Sequence, residues 1–156
     1  MLGGAPSRVL AMLDEVERDG DAGRVVRAIL DRGERLMGFG HRVYRAEDPR
    51  ARVLRRTASE LGSARFEVAE ALEVAALEEL RARKPDRVLA TNVEFWSAVL
   101  LDLAEVPPDL FTSMFTCARV AGWSAHILEQ KREGRLIRPT AVYAGEAARP
   151  LSSVGG

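Results

Sequence analysis

The sequence predicts an all-α chain. Three observations carry that prediction. Apolar residues recur at helical spacing through most of the chain, no stretch alternates apolar and polar residues as a half-buried strand does, and the breaks fall at glycine, proline or capping residues. Val9, Met12, Leu13 and Val16 lie at i, i+3, i+4 and i+7, with Pro6 near the start of this first helix and Gly20 at its end. A second, shorter helix after Asp21 carries Val25, Val26, Ile29 and Leu30. A loop around His41 follows. Pro49 suits the first turn of the next helix and Asp48 its cap; Val53, Leu54, Thr57 and Leu61 form its apolar face, and Gly62 ends it. An alanine- and leucine-rich helix runs from Phe66 to about Arg83 and stops at Lys84-Pro85. Asn92 caps a helix through Val93, Trp96, Val99, Leu100 and Leu103. Pro107-Pro108 breaks the chain, and an apolar helix from Leu110 to about Arg132 ends at Gly134. Residues 135–156 have little periodicity and are expected to form an extended tail. Its apolar residues Leu136, Ile137, Val142 and Tyr143 are expected to dock on the chain's own core or on a partner subunit.

At 156 residues the chain fits one domain, or one domain and part of another. Lys+Arg and Asp+Glu both number 23, so no basic surplus marks a nucleic-acid binder. One cysteine, Cys117, excludes an internal disulfide and a multi-cysteine metal site. With two histidines no metal centre is expected, and a reducing cytoplasm is the default location. The run from Leu110 to Leu128 approaches bilayer length, but Arg119 and His126 interrupt it. It is expected to be a buried core helix rather than a membrane span.

Chemistry concentrates in Met37-Gly38-Phe39-Gly40-His41-Arg42-Val43-Tyr44-Arg45, closed by Asp48-Pro49-Arg50. Glycines let backbone groups approach a ligand closely, and arginines neutralise carboxylates or phosphates. His41 is either a substrate ligand or a loop histidine satisfied by backbone. Arg50 stands in a helix's first turn, where the macrodipole disfavours cations unless an anion is bound. Arg119 sits within the most apolar helix and needs a partner there, either Asp102, Glu105 or a ligand's carboxylate. Glu94, beside Phe95 and Trp96, is either a helix-start carboxylate that compensates the dipole or a desolvated general base. His126 is expected to be a satisfied core or interface histidine.

Taken together these segments resemble the citrate synthase family. The stretch Leu36 to Arg45 with Asp48-Pro49-Arg50 is similar to its active-site loop, and Asn92-Val93-Glu94-Phe95-Trp96 to its catalytic-carboxylate segment. Met114-Phe115 through Arg119 with Gly122-Trp123 resembles the following core helix, Arg138-Pro139 the terminal arginine motif, and Gly3-Gly4-Ala5-Pro6 the start of the small domain. The resemblance implies a citrate synthase-like helical fold that lacks the amino-terminal part of the large domain. Residues 1–90 would be small-domain helices, and residues 91–156 the carboxy-terminal helices and tail of the large domain.

The resemblance also implies roles. Glu94, where many members carry aspartate, would take a methyl proton from acetyl-CoA. His41 would hydrogen-bond the oxaloacetate carbonyl; Arg50 and Arg119 would hold its carboxylates, and Arg138 would do so across a dimer. Arg45 would meet a phosphate of CoA, and Leu36, Gly38, Phe39 and Gly40 would line the adenine pocket. No permanently bound cofactor is implied, since acetyl-CoA and CoA act as co-substrates. The expected partners are a second copy, an amino-terminal half or a full-length synthase, with no nucleic acid and no membrane. In the family a catalytic histidine precedes the glycine pair matched by Gly3 and Gly4; Leu2 stands there in this chain. The isolated chain is therefore expected to turn over negligibly. A 2-methylcitrate synthase-type enzyme part and a non-catalytic CoA- or carboxylate-binding or regulatory module are the alternatives.

Overall fold

The computed structural model describes residues 5–41, 43, 46–134, 136, 138 and 140–145. Six α-helices are found among these residues, as the spacing predicts, together with one 3₁₀ turn. The backbone divides into two compact units, residues 1–119 and 120–156.

In the first unit, α1 (Ala5–Asp19) buries Val9, Leu10, Met12, Leu13 and Val16 along one face. It ends at Gly20, whose positive φ and bond to the Val16 carbonyl close the last turn. The α2 helix (Ala22–Asp31) begins where the Asp21 carboxylate accepts the Arg24 N–H, and it packs on α4. The α4 helix (Phe66–Arg83) buries Ala69, Leu72, Glu73, Ala76 and Leu80. Glu73 is a charged exception in that stripe. It accepts the Trp96 indole N–H at 3.0 Å and lies 3.4 Å from the Arg55 guanidinium, so the buried charge is compensated.

The α3 helix (Pro49–Glu60) departs from expectation. Val53 and Leu61, assigned to its apolar face, are 52% and 63% exposed; Ala51 and Ala58 are the buried residues. Small side chains seven positions apart let α3 lie close against α5 (Val93–Leu103), which also packs on α1. Phe95, Trp96, Ala98 and Val99 give α5 the most buried face in the unit. Phe39, Phe95, Trp96 and Phe66 form a continuous aromatic run with neighbouring centroids 5.3–5.4 Å apart, a spacing suited to edge and tilted contacts. The short 3₁₀ turn (Pro108–Leu110) then leads into α6 (Phe111–Glu133).

The expectation that the Leu110–Leu128 run is a buried core helix is overturned. Of α6 only Phe111 is buried; Met114, Phe115, Val120, Trp123, Ile127 and Leu128 are exposed. His126, expected in a core or interface, is exposed and paired with Glu129 at 3.1 Å. In the second unit Leu136, Val142 and Tyr143 are exposed and lie outside any helix. No described helix is long and apolar enough to cross a membrane.

Gly38 tests how tightly the loop is packed. Its φ is +86°, and a Cβ there would fall 2.8 Å from the Phe95 Cβ. Gly20 has φ +82° with nothing within 4 Å of the same point. Gly20→Ala is expected to lose only the conformational term of about 1–2 kcal/mol. Gly38→Ala is expected to lose a further 1–3 kcal/mol or so from overpacking. Urea unfolding of the two variants checks this, and equal losses would show that Phe95 yields without strain.

Candidate active site

The loop and the start of α5 are joined by hydrogen bonds from a single residue. The Asn92 N–H donates to the Gly38 carbonyl at 2.9 Å, and its side-chain Nδ2 donates to the Gly40 carbonyl at 2.8 Å. Its Oδ1 accepts the Glu94 N–H at 2.9 Å, which caps α5. The Gly40 N–H donates to the Ala90 carbonyl, and Phe39 and Thr91 form an isolated bridge. The two glycines thus serve mainly to bring the loop against residues 89–95; a Cβ on Gly40 would meet Leu89 at 3.0 Å.

Asp48, read from sequence as the cap of α3, is 1% exposed and touches two helix starts. Its Oδ1 accepts the Arg50 N–H and Nε at 3.0 and 2.9 Å; its Oδ2 accepts the Arg50 Nη2 and the Val93 N–H at 2.9 and 3.0 Å. Burial pushes this carboxyl up, but the hydrogen bonds from Arg50 and Val93 outweigh it and hold the group below the usual aspartate range.

This scaffold gathers His41, Arg50 and Glu94. The Val43 N–H donates to His41 Nδ1 at 3.0 Å, so a neutral ring carries its proton on Nε2. Arg50 Nη2 lies 3.2 Å from that Nε2. With Nε2 protonated both atoms are donors, and an anionic or carbonyl oxygen set beside the pair is the group that can accept from both. Glu94 is half-buried and close enough to feel the charges of His41 and Arg50. Desolvation pushes its carboxyl above the usual glutamate range, and those two groups offset only part of the effect. The capping of α5 falls to Asn92 rather than to the Glu94 side chain, whose carboxylate accepts no hydrogen bond among the described residues.

The remaining expected residues are distributed differently. Arg119 is exposed on α6. It needs no buried counter-ion, and Asp102, one of its expected partners, lies 3.7 Å from Arg65 instead. Arg138 belongs to the second unit and is exposed. Arg45 lies outside the described residues. Leu36 and Phe39 line a cavity of about 370 Å³ with Arg35, Lys84 and Arg87 among its walls. These three cations were not singled out in the sequence. Lys84 and Arg87 flank a proline break, and nothing in the local pattern reveals their closeness to Leu36. A larger cavity of about 870 Å³ between α3, α4 and residues 85–91 contains none of His41, Arg50 or Glu94. No cluster of metal-ligating side chains occurs among the described residues.

The family model for citrate synthase, C-terminal domain, matches residues 1–140. The chain is 68% identical to "Putative citrate synthase 2" of Mycobacterium tuberculosis over 99% of its length, covering 41% of that protein. It is 34% identical to a 2-methylcitrate synthase of Shewanella oneidensis over 96% of its length, covering 39% of that protein. Among solved structures it matches the citrate synthase of Thermoplasma acidophilum in ternary complex with carboxymethyl coenzyme A and oxaloacetate. That match has a TM-score of 0.72 and 32% identity, over 97% of this chain and 42% of the other. The chain thus spans about two fifths of the length of these three proteins.

The two carboxyls make opposite contributions to stability with pH. Glu94 is raised in the fold, so stability falls as pH rises from the ordinary glutamate value to the raised one, and the loss is complete above it. Asp48 is lowered, so its contribution is full above the ordinary aspartate value and disappears as pH falls through the depressed one. Glu94→Gln is therefore expected to be at least as stable as the parent at neutral pH, with the advantage vanishing in acid. Thermal melts of both proteins across pH check this; a variant destabilised equally at all pH values would contradict the burial argument.

Proposed function

The chain belongs to the citrate synthase family, and we propose that it supplies one wall of that family's condensation site. The observation that carries this reading is the meeting of His41, Arg50 and a half-buried Glu94 whose carboxyl is raised by desolvation. A carboxylate with its pKa lifted toward working pH is a better acceptor for a carbon-bound proton. Glu94 takes a methyl proton from acetyl-CoA, and the resulting enol or enolate attacks the ketone carbon of oxaloacetate. His41, with Nδ1 occupied by the Val43 N–H, presents Nε2–H to the ketone oxygen and stabilises the alkoxide that develops there. Arg50 holds an oxaloacetate carboxylate beside it, with Arg119 and Arg138 in the same role, Arg138 across a dimer. Hydrolysis of citryl-CoA then releases citrate and CoA.

CoA is assigned to the loop side. The cavity beside Leu36 and Phe39 offers an apolar floor for adenine, and Arg35, Lys84 and Arg87 offer charge for phosphate. Arg45 is proposed as a further phosphate contact. The 2-methylcitrate synthase relative makes propionyl-CoA the second choice of acyl donor. The exposed apolar residues of α6 support association with a second copy or with a complementary large-domain segment. The isolated chain is proposed to turn over negligibly. Loss of one oxyanion stabiliser alone lowers rates by about 10²–10³, and this chain spans two fifths of its relatives.

Calorimetric titration of the purified chain with CoA tests the reading. Saturable binding is expected, weakened about ten- to hundredfold by Arg87→Glu through loss of a charge-assisted contact. No binding, or binding indifferent to Arg87, would remove CoA from this cavity. An assay with acetyl-CoA and oxaloacetate is expected to show negligible citrate formation, and rapid turnover by the chain alone would overturn the one-wall reading.

A further inference from the structure

We propose that Asp48 is the positioning residue of this site, fixing the arginine that holds the keto acid and the helix that carries the base as one rigid piece. The proposal rests on the functional reading above for the identities of keto acid and base. Its geometry stands independently. A helix cap normally serves one helix; the Asp48 carboxylate receives the N–H of Arg50 near the start of α3 and the N–H of Val93, the first residue of α5. The same two oxygens take Nε and Nη2 of Arg50, so the guanidinium is oriented along one edge. Val93 is the neighbour of Glu94, and the Glu94 N–H is bound in turn by Asn92. Any shift of α3 relative to α5 must therefore stretch hydrogen bonds at a single carboxylate buried from water.

Four donors on one carboxylate occupy its lone-pair directions. Asparagine at this position has the same shape but turns one oxygen into a donor. Its NH₂ must then face, donor-to-donor, either the Val93 N–H and the Arg50 Nη2 or the Arg50 N–H and Nε. Glutamate keeps the charge but is one methylene longer in a site 1% exposed. Neither substitution can hold both helix starts at once. Asp48 touches no substrate in this arrangement. It acts through Arg50 and through the backbone beneath Glu94, and near-attack geometry is sensitive to displacements of about an ångström.

Two measurements on the full chain test the proposal. First, an acid titration of the parent protein follows the amide protons of Arg50 and Val93 by NMR. Both are expected to move along one curve with one midpoint, below the ordinary aspartate range, because one carboxylate accepts both. A Val93 amide that titrates separately, or not at all, overturns the bridge, and this measurement needs neither a variant nor a ligand. Second, oxaloacetate and CoA affinities are compared between the parent and Asp48→Asn. Oxaloacetate binding is expected to weaken at least tenfold while CoA binding, assigned to other residues, stays within twofold. Equal losses for both ligands would mean general destabilisation and would sink the positioning role, as would unchanged oxaloacetate binding. If the parent binds no oxaloacetate, the functional reading fails and the amide titration alone decides the bridge.

Discussion

Asn92 is the residue on which the arrangement of the site depends. Its backbone N–H, side-chain amide nitrogen and side-chain oxygen are each committed, two to carbonyls of the glycine loop and one to the first turn of α5. Serine, threonine or aspartate could cap the helix equally well. Asparagine is the residue whose short side chain caps with its oxygen and still has an amide to donate toward a carbonyl across the gap. The loop would otherwise leave the Gly40 carbonyl at the edge of the core without that partner, and unsatisfied buried carbonyls are destabilising. The glycines answer the same requirement from the other side, since any side chain at 38 would drive the loop away from Phe95.

The electrostatics follow from that packing. Bringing the loop against α5 places a histidine and an arginine near the carboxylate of Glu94 without letting either neutralise it through a hydrogen bond. The base is left in a partly dry setting, with its charge disfavoured, while the adjacent Asp48 is stabilised as an anion by donors on every side. Two carboxyls at one helix start are driven in opposite directions, and the difference lies in hydrogen bonding rather than in depth alone. The aromatic run behind them, with Phe95 and Trp96 fully buried, closes that side of the α5 start to water.

The helices were legible because their boundaries rest on local chemistry. Asp48 and Asn92 cap where the sequence places caps, Asp21 caps the helix expected after it, and proline or glycine marks most of the ends. Burial was less legible. The α3 face was only partly legible: Leu54 packs against the core, but Val53 and Leu61 are exposed, because packing against α5 selects the small residues Ala51 and Ala58. The α6 helix was misassigned because an apolar run records what a helix can bury, and not what this chain supplies to cover it. At the site, His41, Arg50 and Glu94 stood out by residue type and by resemblance. The double service of Asp48 and the cations around the small cavity were hidden, since both depend on contacts between residues about fifty positions apart.

That separation has a consequence for how the site comes into being. The bonds joining residues 38–40 and 48 to residues 90–93 enclose α3 and α4 within one long loop of chain. Two helices formed by local contacts must already be in place before the loop's ends can meet at modest entropic cost. The site is thus expected to be a late event in folding and an early loss in partial unfolding, while α3 and α4 persist as helices. Its integrity reports on the whole of the chain between its two halves.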